Sequence, residues 1–172
     1  FAQCSSSTAV GGAIGGPFTL VNEDGETVTD EQVLSEPSLV YFGYTFCPDV
    51  CHLDNVRNAE AVALLDERDI KVQPVFISID PGRDTPEVVR DYTELFHPRM
   101  MGLTGSAEQV RAASQAYKTF YQIGDTSDPY YLVNHTTFSY LMLPDHGFVE
   151  LFRRENTAEE MADNIACYVA AM

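Results

Sequence analysis

The fold of this chain is decided by residues 38–51, which have the sequence SLVYFGYTFCPDVC. β-Branched, aromatic and leucine side chains dominate the first eight positions, a pattern typical of a central strand that is buried on both faces. After Pro48 neither glycine nor proline occurs before Pro74, and apolar residues recur at helical spacing. The stretch therefore predicts a strand that passes directly into a long helix, with Cys47 and Cys51 at the junction.

The residues that follow complete a β-α-β unit and predict a mixed sheet. The helix should end near Asp69, and residues 72–79 form a second buried strand, which should be parallel to the first. Other expected elements are an N-terminal β-hairpin over residues 18–29, a short strand over 120–123, a hairpin from 137–143 and 148–152, and helices that begin at Thr85, Ser106 and Thr157. Residues 124–135 are polar and rich in turn formers, which predicts a loop. We therefore expect an α/β fold, with helices flanking a central mixed sheet and with one extra hairpin near each end.

Composition limits the classes of partner. The 172 residues are enough for one domain with a substantial core. Acidic residues outnumber basic ones 26 to 10, for a net charge of −16, and Lys and Arg are not clustered. Binding to a nucleic-acid backbone would have little electrostatic support, so we expect no nucleic-acid partner, whereas cations and basic protein surfaces would be attracted. No window approaches 18 consecutive apolar residues, which predicts no membrane span in this chain.

Residues 1–16 differ in composition from the rest of the chain. They are rich in Ser, Gly and Ala and lack a basic start, so we interpret them as a flexible spacer that follows a removed signal or anchor. Residues 17–172 would then form the single domain. Cys4 lies in this spacer, and Cys167 lies off the apolar stripe of the last helix. A disulfide between them is one hypothesis, and two free thiols are the alternative.

Cys47 and Cys51 carry the chemistry of the predicted junction. Cysteines four residues apart on a helical turn project from one face, and the positive end of the helix dipole favours thiolates there. The two sulfurs can bind one soft ion or bond to each other. Thiolates select Cu(I), zinc or iron–sulfur clusters, and structural zinc requires a second ligand pair, which this chain lacks at the usual spacing. Copper fits these ligands best, with an inert structural disulfide as the alternative.

The sequence also resembles a known family. Residues 44–51, YTFCPDVC, resemble the signature of SCO/SenC proteins, and the likeness continues through IDPGRDTP at 79–86, GLTG at 102–105, NHT at 134–136 and YLMLPD at 140–145. The resemblance implies a thioredoxin-like, copper-binding domain over residues 17–172. It implies that Cys47, Cys51 and His135 bind copper, as Cu(I) or Cu(II), and that the protein assists assembly of the dinuclear copper site of cytochrome c oxidase. The expected partner is the copper-bearing subunit of that enzyme or another copper protein, and the expected location is the periplasm, with a full-length precursor that is membrane-anchored or secreted.

Two positions depart from the family pattern. His52 occupies a position where proline is usual, and it is either a fourth ligand or a polar residue at the helix start. Asn134 replaces a usual Asp beside His135, so a carboxylate that could orient the imidazole is missing. His135 itself should lie in a polar loop just before a strand, and imidazole is well suited to Cu(II).

Other polar residues have open interpretations. Asp80, Arg83 and Asp84 follow a buried strand, so they either shape the site or form a loop salt bridge with a helix cap. His97 and His146 are interpreted as ordinary surface residues.

Several functions share the same two sulfurs. The leading hypothesis is a metallochaperone that holds copper and delivers it by ligand exchange. The alternative is a periplasmic thiol-disulfide reductase, in which Cys47 attacks and Cys51 resolves the mixed disulfide, so the sequence leaves open whether the protein is an enzyme. A peroxidase on the same fold is a weaker alternative, and a copper or redox sensor would have an identical site.

Overall fold

The fold is organised around a seven-stranded mixed sheet, seen in a computed structural model that describes residues 3–4, 14–48 and 50–172, with Val50 described for its backbone alone. The strands are β1 (Thr19–Asn22), β2 (Thr27–Thr29), β3 (Ser38–Gly43), β4 (Gln73–Ser78), β5 (Met101–Thr104), β6 (Tyr121–Ile123), β7 (Val133–His135), β8 (Ser139–Leu143) and β9 (Gly147–Phe152). The helices are α1 (Asp30–Val33), α2 (Val50–Glu67), α3 (Pro86–Thr93), α4 (Ala107–Ala116) and α5 (Ala158–Ala170). Strand order in the large sheet is β2-β1-β5-β4-β3-β8-β9, and β6 pairs with β7 in a separate ribbon.

Parallel strands form the centre of the large sheet. β3 pairs in parallel with β4, with Val40 opposite Val75, and β4 pairs in parallel with β5. β3 is buried along its whole length, as its apolar sequence predicts. Antiparallel hairpins extend the sheet at both sides. On one side β1 pairs with β5, and on the other side β8 pairs with both β3 and β9. The predicted mixed sheet, its β-α-β unit and both hairpins are confirmed.

Two hydrophobic clusters fill the two faces of the sheet. Alternate residues of β8 enter opposite clusters, with Tyr140 and Met142 in the first and Leu141 and Leu143 in the second. The second cluster also contains the apolar faces of α2 and α5, and the first contains buried residues of α3 and α4. The helices therefore flank the sheet on both faces.

Three elements and one helix boundary differ from the sequence prediction. The prediction omits α1 and β5, and it places β7 inside a loop. β7 forms because its residues pair with β6, with Ile123 opposite Val133 and Tyr121 opposite His135. α2 begins at Val50, so Cys47 lies in the turn before the helix and not within its first turn.

The two outer cysteines form a disulfide. Cys4 is buried and bonded to Cys167 of α5, with their Cα atoms 5.7 Å apart. This confirms the disulfide hypothesis. The interpretation of residues 1–16 as a spacer falls largely on residues 1–2 and 5–13, which lie outside the described residues. Of the described helices, none combines the length and the apolar character that crossing a membrane requires.

Candidate metal centre

Cys47 is positioned by the turn that joins β3 to α2. Its backbone N–H donates to the carbonyl of Tyr44 at 3.3 Å, which closes the turn. Its Sγ accepts the backbone N–H of Cys51 at 3.2 Å, at the start of α2. A sulfur that accepts an amide N–H at a helix N-terminus is well placed to carry negative charge.

Cys51 is the inner sulfur of the pair. It is fully buried, whereas Cys47 is half-buried. The pKa of the Cys51 thiol is raised, first by its hydrogen bond with Cys47 and then by burial and by the charge of Cys47. Without a metal this sulfur is therefore held as the neutral thiol, and a metal ion that binds it displaces a proton.

His135 faces Cys51 from the end of β7. Its Nε2 lies 3.1 Å from the Cys51 Sγ, and its Nδ1 lies 2.8 Å from the carbonyl oxygen of Thr136. Since a carbonyl oxygen only accepts, Nδ1 carries the proton and donates, which leaves Nε2 directed at the sulfur. The rings of Tyr44 and Tyr41 meet the imidazole edge-on, at centroid distances of 5.7 and 6.4 Å. The expectation that His135 lies in a loop was wrong, because its pairing with Tyr121 places it in a strand.

These three side chains form one possible metal site. One ligand atom from each of Cys47, Cys51 and His135 lies within 4.8 Å of the others. A pocket of about 240 Å³ opens beside them and is lined by Tyr44, Cys47, Pro48, Leu132, Val133, Asn134, His135 and Thr137. Two thiolates and an imidazole suit copper in either oxidation state, because thiolates favour Cu(I) and imidazole also binds Cu(II).

The structure separates the other histidines from this site. His52 is exposed, and its ring lies against Phe96, with centroids 5.3 Å apart, outside the group of converging ligands. His146 is exposed, as expected. The interpretation of His97 as a surface residue was wrong. It is buried, with Nε2 3.1 Å from an oxygen of Asp66, and this partly exposed carboxylate satisfies its polar ring.

Asp84 holds the turn that precedes Cys47. Its carboxylate accepts the backbone N–H of Thr45 at 3.0 Å and the hydroxyls of Thr45 and Ser78, each at 2.6 Å. Burial raises the pKa of Asp84, while these hydrogen bonds favour its charged form. Because the carboxylate bonds both β4 and the turn, it fixes the position of the turn relative to the sheet.

Both interpretations of the loop after β4 are supported. Asp80 and Arg83 form the expected loop salt bridge, at 2.6 Å, and the Thr85 side chain caps α3. Asp84 shapes the site from the same loop. The loop therefore has two roles. The Asp80–Arg83 ion pair stabilises the loop itself, and Asp84 positions the turn at the site.

One polar pair behind the site was missed by sequence reasoning. The Tyr41 hydroxyl donates to Asp54 Oδ2 at 2.7 Å, and both residues are buried. Burial, with a smaller effect of Cys51, raises the pKa of Tyr41, so its hydroxyl remains a donor. The available signal was the spacing, because Asp54 lies three residues after Cys51 and hence on the same side of the helix.

Comparison with known proteins identifies the class. The fold and site together define a thioredoxin-like domain with two cysteines and a histidine that could hold a metal ion. The SCO1/SenC family model matches residues 6–170, and the chain therefore belongs to the SCO1/SenC family. The thioredoxin-like fold predicted from the sequence is confirmed by the solved structures of this family.

Individual relatives agree with this membership. Protein SenC of Rhodobacter capsulatus is 51% identical over 173 residues, covering 100% of this chain and 78% of the relative. SCO1 homolog 1, mitochondrial, of Arabidopsis thaliana is 38% identical over 154 residues, and the match covers 89% of this chain but only 46% of that longer protein. The crystal structure of Arabidopsis thaliana ScoI with copper bound matches with a TM-score of 0.88 and 35% identity, covering 93% of this chain and 100% of that structure.

Proposed function

We propose that this chain is a copper metallochaperone that binds one copper ion through Cys47, Cys51 and His135. The observation that carries the proposal is the convergence of three ligand atoms within 4.8 Å at the junction of β3 and α2. The copper bound in the related ScoI structure supports copper as the ion. The described ligand set lacks the fourth residue that a structural zinc site needs.

The two oxidation states of copper use different numbers of these three ligands. Two thiolates satisfy Cu(I), and the His135 imidazole completes a site for Cu(II). Delivery proceeds by ligand exchange, in which a thiol of the partner reaches copper from the pocket side. The half-exposed Cys47 gives that thiol access, while the buried Cys51 retains the ion until the partner has bound it.

The proposed partner is the copper-bearing subunit of cytochrome c oxidase, whose dinuclear site this protein would help to assemble. The family resemblance supports this partner, and the net charge of −16 favours a basic docking surface on it. The proposed location is the periplasm, with residues 17–172 as the copper-binding domain and residues 1–16 as a spacer that the Cys4–Cys167 disulfide ties to this domain. A membrane anchor or secretion signal would belong to the full-length precursor.

The decisive experiment compares His135→Ala with the unaltered protein. We expect the variant to keep one Cu(I) per chain but to lose Cu(II) and its thiolate-to-copper absorption band, because only the imidazole is removed. Competition titrations with Cu(I) and Cu(II) chelators measure both affinities, and transfer to the copper-bearing subunit measures function.

His52→Ala is the matched control. It removes an exposed histidine beside Cys51 whose ring lies against Phe96, and it should bind and transfer copper normally. If His135→Ala keeps Cu(II) binding and transfer, the three-ligand chaperone proposal is wrong.

A thiol-disulfide reductase is the second candidate, favoured by the pairing of a half-exposed Cys47 with a buried Cys51. The Cys47 thiolate would attack a disulfide of the partner, and Cys51 would displace the partner's sulfur. The partner then gains two electrons and two protons as the Cys47–Cys51 disulfide forms, and an external thiol reductant must restore the pair. Metal-free protein that reduces the partner's disulfide equally well with and without His135 would support this function.

A further inference from the structure

A buried ion pair lies beside the proposed copper site. The side chain of Asp80, in the loop after β4, is 0% exposed, and one of its oxygens accepts Arg83 Nε at 2.6 Å. Its other oxygen accepts the hydroxyl of Tyr131 at 2.5 Å. The carboxylate therefore binds its own loop and, through Tyr131, the segment 120–136, here called the histidine arm, which contains β6, β7 and His135.

Arg83 contacts both the histidine arm and the turn that carries Cys47. Its Nη2 donates to the carbonyl of Tyr131 at 2.8 Å, and its Nη1 donates to the carbonyl of Pro129 at 3.3 Å. The guanidinium carbon lies 3.5 Å from the ring centroid of Tyr131 and 4.7 Å from that of Phe46. A single side chain thus contacts the histidine arm and the residue next to Cys47.

Only an arginine can make this set of contacts. Its planar guanidinium offers donors on a rigid fork and stacks on aromatic rings, whereas lysine offers a single ammonium group. Because the side chain is only 15% exposed, water competes little for these donors. The contacts therefore fix the distance between the turn that carries Cys47 and the arm that carries His135.

We propose that Arg83 is a positioning residue that clamps the histidine arm against the Cys47 turn and so selects the Cu(II)-binding geometry. This inference rests on the proposed copper function. Cu(I) needs only Cys47 and Cys51, which lie four residues apart at the junction of β3 and α2. Cu(II) additionally needs His135, which comes from the arm, so loosening the clamp weakens Cu(II) binding and spares Cu(I).

The test is Arg83→Gln in the full chain. We expect its Cu(II) dissociation constant to rise by about 10- to 100-fold, as for other residues that orient metal ligands, while Cu(I) affinity stays at the wild-type value. The thiolate-to-Cu(II) absorption band should weaken or shift. In the metal-free protein, backbone amides of the histidine arm should exchange with deuterium faster, while those of β3 and β4 keep their protection.

Two further variants test whether a folding defect, and not the loss of the clamp, weakens Cu(II) binding in Arg83→Gln. Asp80→Asn combined with Arg83→Gln removes both charges, so no unpaired buried charge remains, and it should show the same selective loss of Cu(II). Tyr131→Phe removes one hydroxyl and keeps the ring under the guanidinium, and it should show a smaller loss.

Arg90→Gln is the matched control. Arg90 also bonds a carboxylate, that of Asp24, and a backbone carbonyl, that of Glu23, but these contacts lie on α3 and the first hairpin. It should leave both copper affinities unchanged.

The outcomes separate the two proposals. Unchanged Cu(II) affinity in Arg83→Gln and in the double variant, or an equal loss of Cu(I) and Cu(II), overturns the clamp. If wild-type protein and His135→Ala bind Cu(II) alike, the proposed three-ligand copper site is itself wrong. If those two differ as expected and Arg83→Gln matches wild type, only the clamp is wrong.

Discussion

At the scale of single residues, Tyr44 supports His135 in two ways. Its ring meets the imidazole edge-on, and its hydroxyl accepts the backbone N–H of Val133 in β7 at 3.1 Å. That N–H is buried, and the hydroxyl is its acceptor. Tyr44 therefore links the strand that ends before Cys47 to the strand that ends in His135.

Tyr44→Phe should destabilise the protein. We expect the free energy of unfolding to fall by about 1–3 kcal/mol, because a buried N–H loses its acceptor. Tyr117→Phe is the matched control, since the Tyr117 hydroxyl is buried and has no hydrogen-bond partner among the described residues. That change should be neutral or stabilising. Urea denaturation of both variants measures the difference, and equal losses would contradict the assignment.

The sequence indicated which residues could bind a metal. It indicated much less about the residues that hold those ligands in place. Cys47 and Cys51 were predictable because a strand, a proline and a helix fix where they lie. His135 came from the family resemblance, since a histidine in a polar stretch carries no signal of its own. For Asp54 the spacing from Cys51 indicated only the side of the helix, and it is tertiary packing that buries the carboxylate against Tyr41.

At the scale of elements, side-chain hydrogen bonds join the end of α2 to the segment that precedes β5. Asp66 accepts two hydrogen bonds from the guanidinium of Arg99, at 2.9 and 3.2 Å, and one contact from His97. The Arg99 hydrogen bonds lower the pKa of Asp66 from its ordinary value of 3.8, burial opposes them, and the His97 contact lowers the pKa further. The cluster joins a helix on one face of the sheet to a central strand.

This cluster should make stability depend on pH in the acid range. A carboxyl group whose folded pKa is lowered stabilises the native state above its unfolded pKa, and this contribution disappears as the pH falls through the folded pKa. Wild type should therefore be more stable than Asp66→Asn at neutral pH, and the difference should shrink below the ordinary value of 3.8. Thermal melts of both proteins between neutral and strongly acid pH give the measurement, and parallel curves throughout would refute the prediction.

Strands whose pairing depends on distant partners were the hardest elements to predict. β5 has the sequence MGLT, which lacks a strong strand pattern, and it forms because β4 and β1 bond it on both sides. β7 contains two polar residues and forms by pairing with β6. By contrast, β3 and α2 carry long apolar patterns of their own, so their existence was evident from the sequence.

At the scale of the whole molecule, the Cys4–Cys167 disulfide closes nearly the entire chain, with a sequence separation of 163 residues. Cys4 belongs to the second hydrophobic cluster with α2 and α5, whereas Cys51 belongs to the first cluster. The disulfide and the proposed metal centre therefore occupy different parts of the core.

Replacing both outer cysteines should lower stability and leave copper binding intact. For Cys4→Ser combined with Cys167→Ser we expect a loss of about 2–5 kcal/mol in unfolding free energy, because the unfolded chain gains freedom when a long loop opens. Guanidinium denaturation measures the loss, and copper titration should still give one ion per chain. Loss of copper binding in the folded variant would show that the two regions are coupled.

The unequal exposure of the two site sulfurs has a consequence for the route of the ion. An incoming thiol can approach the half-exposed Cys47, whereas the protein itself covers Cys51 on every side. Under the proposed copper function, a partner's thiol would therefore replace the Cys47 bond first on release, and the Cys51 bond would break last. Such an order would keep the ion bonded to at least one protein sulfur throughout the exchange.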